Sequence, residues 1–204
     1  MESNENLIQH LVNSGALKSK NIIDAFKQMD RVNFVKDDYC KDAYEDFPLS
    51  IGYGQTISQP TTVAMMLEML KPSKGQTILD IGSGSGWSTA LLSFIVGEEG
   101  FVTGLERIDS LVEFGNKNLK KYKINNAKII HANDELGLVG EKFDSILVSA
   151  AADKLPLELL EQLKIGGKLV IPIQNSIYEI TKKENDKFEK IEHFGFTFVP
   201  LIYT

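Results

Sequence analysis

From residue 75 onward the chain alternates short apolar runs with stretches whose apolar residues recur every three or four positions. The runs fall at Thr77–Ile81, Phe101–Glu106, 128–131, 143–149 and 168–173, and the helical stretches at Trp87–Val96, 108–121 and 156–164. Apolar runs of strand length without polar alternation fit strands covered on both faces, and the helical stretches between them fit crossover connections. The pattern predicts an α/β fold, a doubly wound and mostly parallel sheet. Ser176–Lys182 and 194–202, separated by the charged stretch 183–190, predict an antiparallel hairpin added at the sheet edge.

The first third reads differently. Residues 5–12 and 20–29 predict two amphipathic helices split by Ser14 and Gly15. Residues 36–58 follow neither period and carry Pro48, Gly52 and Gly54, so a long ordered loop is expected there, the kind usually tied to function. Pro60 then opens another helix, with Ser58 expected as its N-cap. The whole chain is expected to form one domain: N-terminal helices and a covering loop in 1–58, a core in 59–175 and the hairpin in 176–204.

Composition narrows the classes. With 204 residues, 43% hydrophobic and 25% charged, the chain has enough apolar material for a full core. Lys and Arg number 22 against 28 Asp and Glu, a net charge of −6 that suits a nucleic-acid binder poorly without excluding RNA. Cys40 is the one cysteine, and His10, His131 and His193 are scattered, so neither an internal disulfide nor a structural zinc site is expected and no metal is called for. A reducing cytoplasm fits. The opening MESNENLIQHL lacks a basic and then apolar leader, and no run of 18 apolar residues occurs, so neither secretion nor membrane spanning is expected. A monomer is the expected state.

The most informative stretch runs from Ile78 through Asp80, Gly82, Ser83, Gly84 and Gly86 to Trp87: a buried-type strand, a glycine turn and a helix. Glycines allow a sharp turn and close ligand approach, and the helix start offers free N–H groups. The dinucleotide pattern fails because Trp87 or Thr89 stands where its third glycine belongs, and the P-loop fails for want of a following Gly-Lys-Ser/Thr. Glu106 closes the next strand, 20 residues after Gly86, where a carboxylate can accept hydrogen bonds from both hydroxyls of a ribose. Asp80, Gly82, Gly84 and Gly86 together with Glu106 resemble the S-adenosylmethionine site of Rossmann-like class I methyltransferases. After the fourth strand, residues 148–153 read VSAAAD. The Asn/Asp-Pro-Pro-aromatic element of nucleic-acid amino methyltransferases and the acid cluster of metal-dependent catechol-type enzymes are missing there. A carboxylate acceptor, ionised at neutral pH, needs neither base nor metal.

The second signal lies in the loop, where residues 47–60 read FPLSIGYGQTISQP. That stretch resembles the protein-L-isoaspartate (D-aspartate) O-methyltransferase family, as do Arg31, Phe34 and Val35, Ala43, Tyr44 and Asp46, Val148 with Ala150 to Ala152, Gln162 to Lys164 with Gly166 and Gly167, and Phe198 to Leu201. The resemblance implies a protein carboxyl methyltransferase that uses S-adenosyl-L-methionine, releases S-adenosyl-L-homocysteine and repairs isoaspartyl-containing proteins and peptides. It implies that Ser58 is catalytic and that Thr56, Ile57, Asp80, Gly82, Ser83, Gly84, Gly86, Glu106, Arg107, Asn133 and Asp134 bind the cofactor. Ile51, Gly52, Tyr53, Gln55 and Ser58 are implied on the substrate side. Thr61, the run Ala132, Asn133 and Asp134, and Gln174 depart from the commonest family residues. The glycine turn by itself leaves open a relative of the same fold that methylates RNA or a small molecule, or one that binds without turnover. Lys117, Lys120, Lys121 and Lys123 read as a solvated helix face, His131 as a packed or surface residue, Met65, Met66 and Met69 as core filling, and Trp87 as core or ligand-packing.

Overall fold

The structure is a computed structural model and describes residues 1–203. Five parallel strands carry it: β3 (Thr77–Ile81), β4 (Phe101–Glu106), β5 (Ala127–His131), β6 (Phe143–Val148) and β7 (Leu163–Ile173). An antiparallel hairpin, β8 (Ser176–Lys182) and β9 (Phe188–Phe194), extends one edge, so the sheet order is β5-β4-β3-β6-β7-β8-β9. Connections leave β3 toward β4 and return toward β6 on its other side. The crevice at the carboxyl ends of β3 and β6 is therefore the topological switch point, where open α/β sheets place ligands.

Successive strand residues feed opposite faces, as a period of two requires. Ile78, Leu147 and Val170 join one buried cluster, while Leu79, Ile146, Val148, Leu169 and Ile171 join the other. The first cluster takes in α1 (Asn4–Asn13), α2 (Lys20–Gln28), α3 (Pro60–Leu70), α4 (Trp87–Val96) and α5 (Asp109–Lys121). The second is closed by the single-turn α6 (Leu157–Glu161) and by loop side chains including Leu136, Leu138 and Leu201.

Four expectations need correction. Inside 36–58 the chain is more ordered than a loop: a 3-10 segment covers Asp37–Asp42, and β1 (Leu49–Gly52) pairs antiparallel with β2 (Gln55–Ile57). Leu49, Ile51 and Ile57 face inward, and the tip at Gly52, Tyr53 and Gly54 turns with φ of 95°, 57° and 71°. The helix expected at 156–164 stops at Glu161, because Leu163 already pairs with Phe143. The chain then passes so close to β6 that a Cβ on Gly167 would lie 3.0 Å from the Asp144 carbonyl, hence its glycine.

The last strand was placed too late. The strand partner of Ser176–Lys182 is Phe188–Phe194, an edge strand exposed almost throughout and therefore without an apolar signature. Residues 195–202 instead cross the carboxyl ends of the sheet, where the Ala151 N–H donates to the Val199 carbonyl (2.8 Å) and the Leu201 N–H to the Ala151 carbonyl (2.7 Å). Finally, Ser58 is not the cap of α3. Gln59 holds that position, and Asp46 does the capping from the preceding loop, accepting from the Thr61 N–H (2.9 Å) and hydroxyl (2.7 Å). This also gives Thr61 a defined job.

Candidate active site

The glycine turn between β3 and α4 holds Gly82, Gly84 and Gly86 at φ of 79°, 50° and 84°, backbone that side-chain-bearing residues rarely adopt. Glu106, at the end of β4 and 6% exposed, locks the turn: one carboxylate oxygen accepts from the Gly84 N–H (3.1 Å) and the other from the Ile108 N–H (3.0 Å). Asp80 lies fully buried behind the turn, accepting from the hydroxyls of Ser88 (2.7 Å) and Thr89 (2.6 Å) at the start of α4. Burial pushes its carboxyl up to about 6; the two hydroxyls oppose the shift and the charge of Glu106 adds to it.

In front of the turn lies a cleft. Its floor is Gly82, Gly84 and Glu106, its far end Asn133, Leu136 and Gly137, and its roof Ile51, Gln55, Thr56 and Ser58 from the β1–β2 hairpin. The crossing segment Val199 to Tyr203 closes the side. Apolar walls with a few converging polar groups describe a small-molecule site. A smaller recess on the other side of the turn adds Ile57, Ser83 and Ser85. A third groove, open to the surface, runs between Pro48, Gln59 and Thr62 on one side and Thr197, Phe198 and Val199 on the other. Thr56, Ser58 and Ser149 line all three spaces, forming a common hydroxyl-bearing wall.

The hairpin and its flanks are held by Arg31, which is wholly buried. Its guanidinium donates to the carbonyls of Ala43, Glu45, Phe47 and Ser58 at 2.8–3.1 Å and sits 5.5 Å from the centre of the Trp87 ring. Burial lowers its pKa to about 10, with Asp46 opposing. At Asp46 burial works the other way, but hydrogen bonds from Thr61 and Gln59 and the nearby His10 hold the carboxyl below its ordinary value. Arg31 thus fixes the backbone of Ser58, and Asp46 the start of the helix behind it.

Of the residues expected at a site, Ile51, Gln55, Thr56, Ser58, Gly82, Gly84, Glu106, Arg107 and Asn133 come together around the main cleft. Ile57 and Ser83 line the recess, and Asp134 opens with Asn133 onto a shallow neighbouring depression. Asp80 and Gly86 stand behind the turn. A Cβ on Gly86 would meet the Gly115 carbonyl oxygen at 3.1 Å, so that glycine serves packing of the turn on α5. Gly52 and Tyr53 lie at the hairpin tip, outside these spaces. Trp87 borders the recess, but its ring is spent in the core, with the indole N–H on the Met29 carbonyl (2.9 Å) and an edge-on contact to Phe26. His131 pairs with Asp109 at the surface, and Lys121 reaches the Asn33 carbonyl.

Ser149, Leu136, Gly137 and the crossing segment were not anticipated. Position at the carboxyl end of β6 was the available signal for Ser149. Among the described residues no cluster of three or more His, Cys, Asp and Glu could hold a metal, and no helix is long and apolar enough to cross a membrane.

Comparison with known proteins agrees with this geometry. The family model described as protein-L-isoaspartate(D-aspartate) O-methyltransferase (PCMT) matches residues 2–204. Relatives named protein-L-isoaspartate O-methyltransferase include one from Pyrococcus abyssi, 39% identical over 96% of this chain and 92% of its own length. Another, from Fervidobacterium nodosum, is 41% identical over 96% and 99%. A crystal structure of a protein-L-isoaspartate O-methyltransferase from Plasmodium falciparum, in complex with S-adenosyl-L-homocysteine, superposes with a TM-score of 0.88 at 32% identity and covers 100% of both chains. With the family model spanning nearly every residue and relatives at this identity along their full length, the chain belongs to the protein-L-isoaspartate (D-aspartate) O-methyltransferase family.

Proposed function

We propose that this protein methylates the free carboxylate of L-isoaspartyl and D-aspartyl residues in damaged proteins, with S-adenosyl-L-methionine as donor. The observation that carries the reading is the wall of Thr56, Ser58 and Ser149 shared by the main cleft and the neighbouring groove. A small donor and a peptide acceptor can meet there. The residues present fit the donor: Gly82 and Gly84 leave backbone open to the cleft, Ser83 Oγ at the adjoining recess is buried without a protein partner, and Glu106 lines the same cleft.

In this reading the glycine turn and recess take the methionine part, Glu106 the ribose hydroxyls, and the stretch from Asn133 to Gly137 the adenine end. When bound, S-adenosyl-L-methionine supplies a sulfonium methyl group, which passes to a carboxylate oxygen and leaves a thioether and a neutral methyl ester. The chain's task is placement. An isoaspartyl carboxylate is already ionised at neutral pH, so no base has to take a proton. Ser58, its backbone held by Arg31, orients that carboxylate at the common wall, and the hairpin roof excludes water. Fixing the two reacting groups in line accounts for most of the acceleration. The following backbone amide nitrogen of the substrate then attacks the ester carbonyl, giving up its proton and expelling methanol, and closes a succinimide without further help from the enzyme.

The acidic balance of the chain supports a protein substrate over nucleic acid, and its single thiol suits a reducing cytoplasm. The test is transfer of labelled methyl groups to an isoaspartyl peptide and to its aspartyl twin. Base-labile label on the first alone is expected. Label on RNA, or on neither peptide despite cofactor binding, would overturn the proposal in favour of another acceptor or of a non-catalytic binder.

A further inference from the structure

We propose that Gln162 is a positioning residue for the far, nucleoside-holding end of the cleft, acting through the backbone of residues 136–138; the inference rests on the reading of that cleft as the cofactor site. Gln162 follows α6 and is 4% exposed, with no atom in the cleft itself. Its side-chain amide straddles one residue of the loop. The Oε1 accepts from the Leu138 N–H (2.7 Å), while the Nε2 donates to the Leu136 carbonyl (2.9 Å) and also to the Glu158 carbonyl (3.2 Å). An amide that takes an N–H from one residue and gives one to a carbonyl two residues earlier reproduces a strand neighbour, so it fixes the loop's direction as well as its distance.

Between those two contacts sits Gly137, with φ of 83°. A Cβ there would stand 2.2 Å from Gln162 Oε1, so the glycine and the amide require each other. Leu136 and Gly137 line the same cleft as Glu106. The loop has no regular secondary structure of its own between β5 and β6, and the amide supplies the pairing that a strand would have supplied. At its other end, the Gln162 carbonyl accepts from the Phe143 N–H (2.8 Å), which anchors the residue to the sheet. A shift of the loop therefore changes the cleft at the nucleoside end and leaves the Ser58 wall where it is.

Gln162→Met keeps length and apolar bulk but removes the amide. It is expected to weaken S-adenosylhomocysteine binding, measured by calorimetry, about tenfold, the loss of roughly one net hydrogen bond to the loop. Turnover at saturating S-adenosylmethionine and the KM for isoaspartyl peptide should stay within about twofold of wild type, because neither depends on the far end. Gly137→Ala, at a residue that itself lines the cleft, drives a Cβ against the Gln162 amide from the loop side and should weaken S-adenosylhomocysteine binding as well. The double variant should lose less than the sum of the two, as residues sharing one contact do. Unchanged binding in both single variants, with only the melting temperature lowered, would overturn the proposal and leave Gln162 a brace of the α6–β7 joint. Absence of binding by the wild-type protein would overturn the reading of the cleft and this inference with it.

Discussion

Replacing Glu106 separates two jobs that one carboxylate performs. In Glu106→Ala the Gly84 and Ile108 N–H groups, both bonded to this side chain, lose their acceptors in a site only 6% exposed. A buried donor without a partner costs about 1–3 kcal/mol; the Gly84 N–H is such a donor while the Ile108 N–H is only part-buried, so stability should fall by roughly 1–3 kcal/mol, less whatever water entering the cleft restores. The ribose hydroxyls lose a charged acceptor as well, worth about 1.5–3 kcal/mol, or roughly 10- to 150-fold in cofactor affinity. Glu106→Gln keeps the shape and one acceptor oxygen but turns an NH2 group toward one of the two backbone donors. It should fall between Ala and wild type in both measures. The assay pairs thermal unfolding of the ligand-free protein with calorimetric titration of S-adenosylhomocysteine, then measures turnover of an isoaspartyl peptide at saturating S-adenosylmethionine. Turnover at saturation should remain within a few-fold of wild type. If affinity held while turnover at saturation collapsed, Glu106 would be acting on the reacting groups, and its assignment to the nucleoside would be wrong.

Gly84→Asp should abolish S-adenosylhomocysteine binding while circular dichroism stays native-like, since even a Cβ there comes within 3.0 Å of Ile51 Cδ1 and the new carboxylate faces Glu106; binding within a few-fold of wild type would contradict it. Because Asp46 rather than Ser58 caps α3, Ser58→Ala should leave stability within about 0.5 kcal/mol yet lower methylation roughly 10²-fold, and Ser58→Asp should all but abolish it by repelling the acceptor carboxylate; wild-type rates in either variant would remove Ser58 from the site. Asp80, pushed from its ordinary 3.8 to about 6, keeps a proton in the folded state that the unfolded chain has lost. Its contribution to stability is full below about pH 4 and is lost as the pH rises through 6, so Asp80→Asn should flatten the melting-temperature profile across that interval; an unaltered slope would refute the assignment.

How much of this was legible in the sequence depended on what each residue buries. The parallel strands announced themselves because Ile78, Leu79 and Ile81, Val102, Ile146 to Val148 and Leu169 to Ile171 are covered on both sides, which leaves apolar runs without polar alternation. Gly82, Gly84 and Glu106 were readable because a sharp turn and a strand-end acid have few other uses together. β9 was not, since an edge strand exposed on both faces needs no apolar pattern, whereas Phe196 and Phe198 beyond it are packed against the core and mimic one. The capping carboxylate of Asp46 acts across 15 residues of chain, and the amide of Gln162 across 24, distances at which residue type alone says nothing about partner. Ser149 fills a position that any small residue at a strand end could hold, and its place at the common wall emerges only when the hairpin and the segment 197–199 are folded over it.

The central claim is that donor and acceptor meet at the wall of Thr56, Ser58 and Ser149, and a crystal structure with S-adenosylhomocysteine and an isoaspartyl peptide bound together tests it most directly. The account predicts the thioether sulfur beside that wall, the ribose on Glu106, and the isoaspartyl carboxylate at Ser58 with the peptide lying between Pro48 and Phe198. A peptide bound elsewhere, or a carboxylate separated from the sulfur by the hairpin, would contradict it.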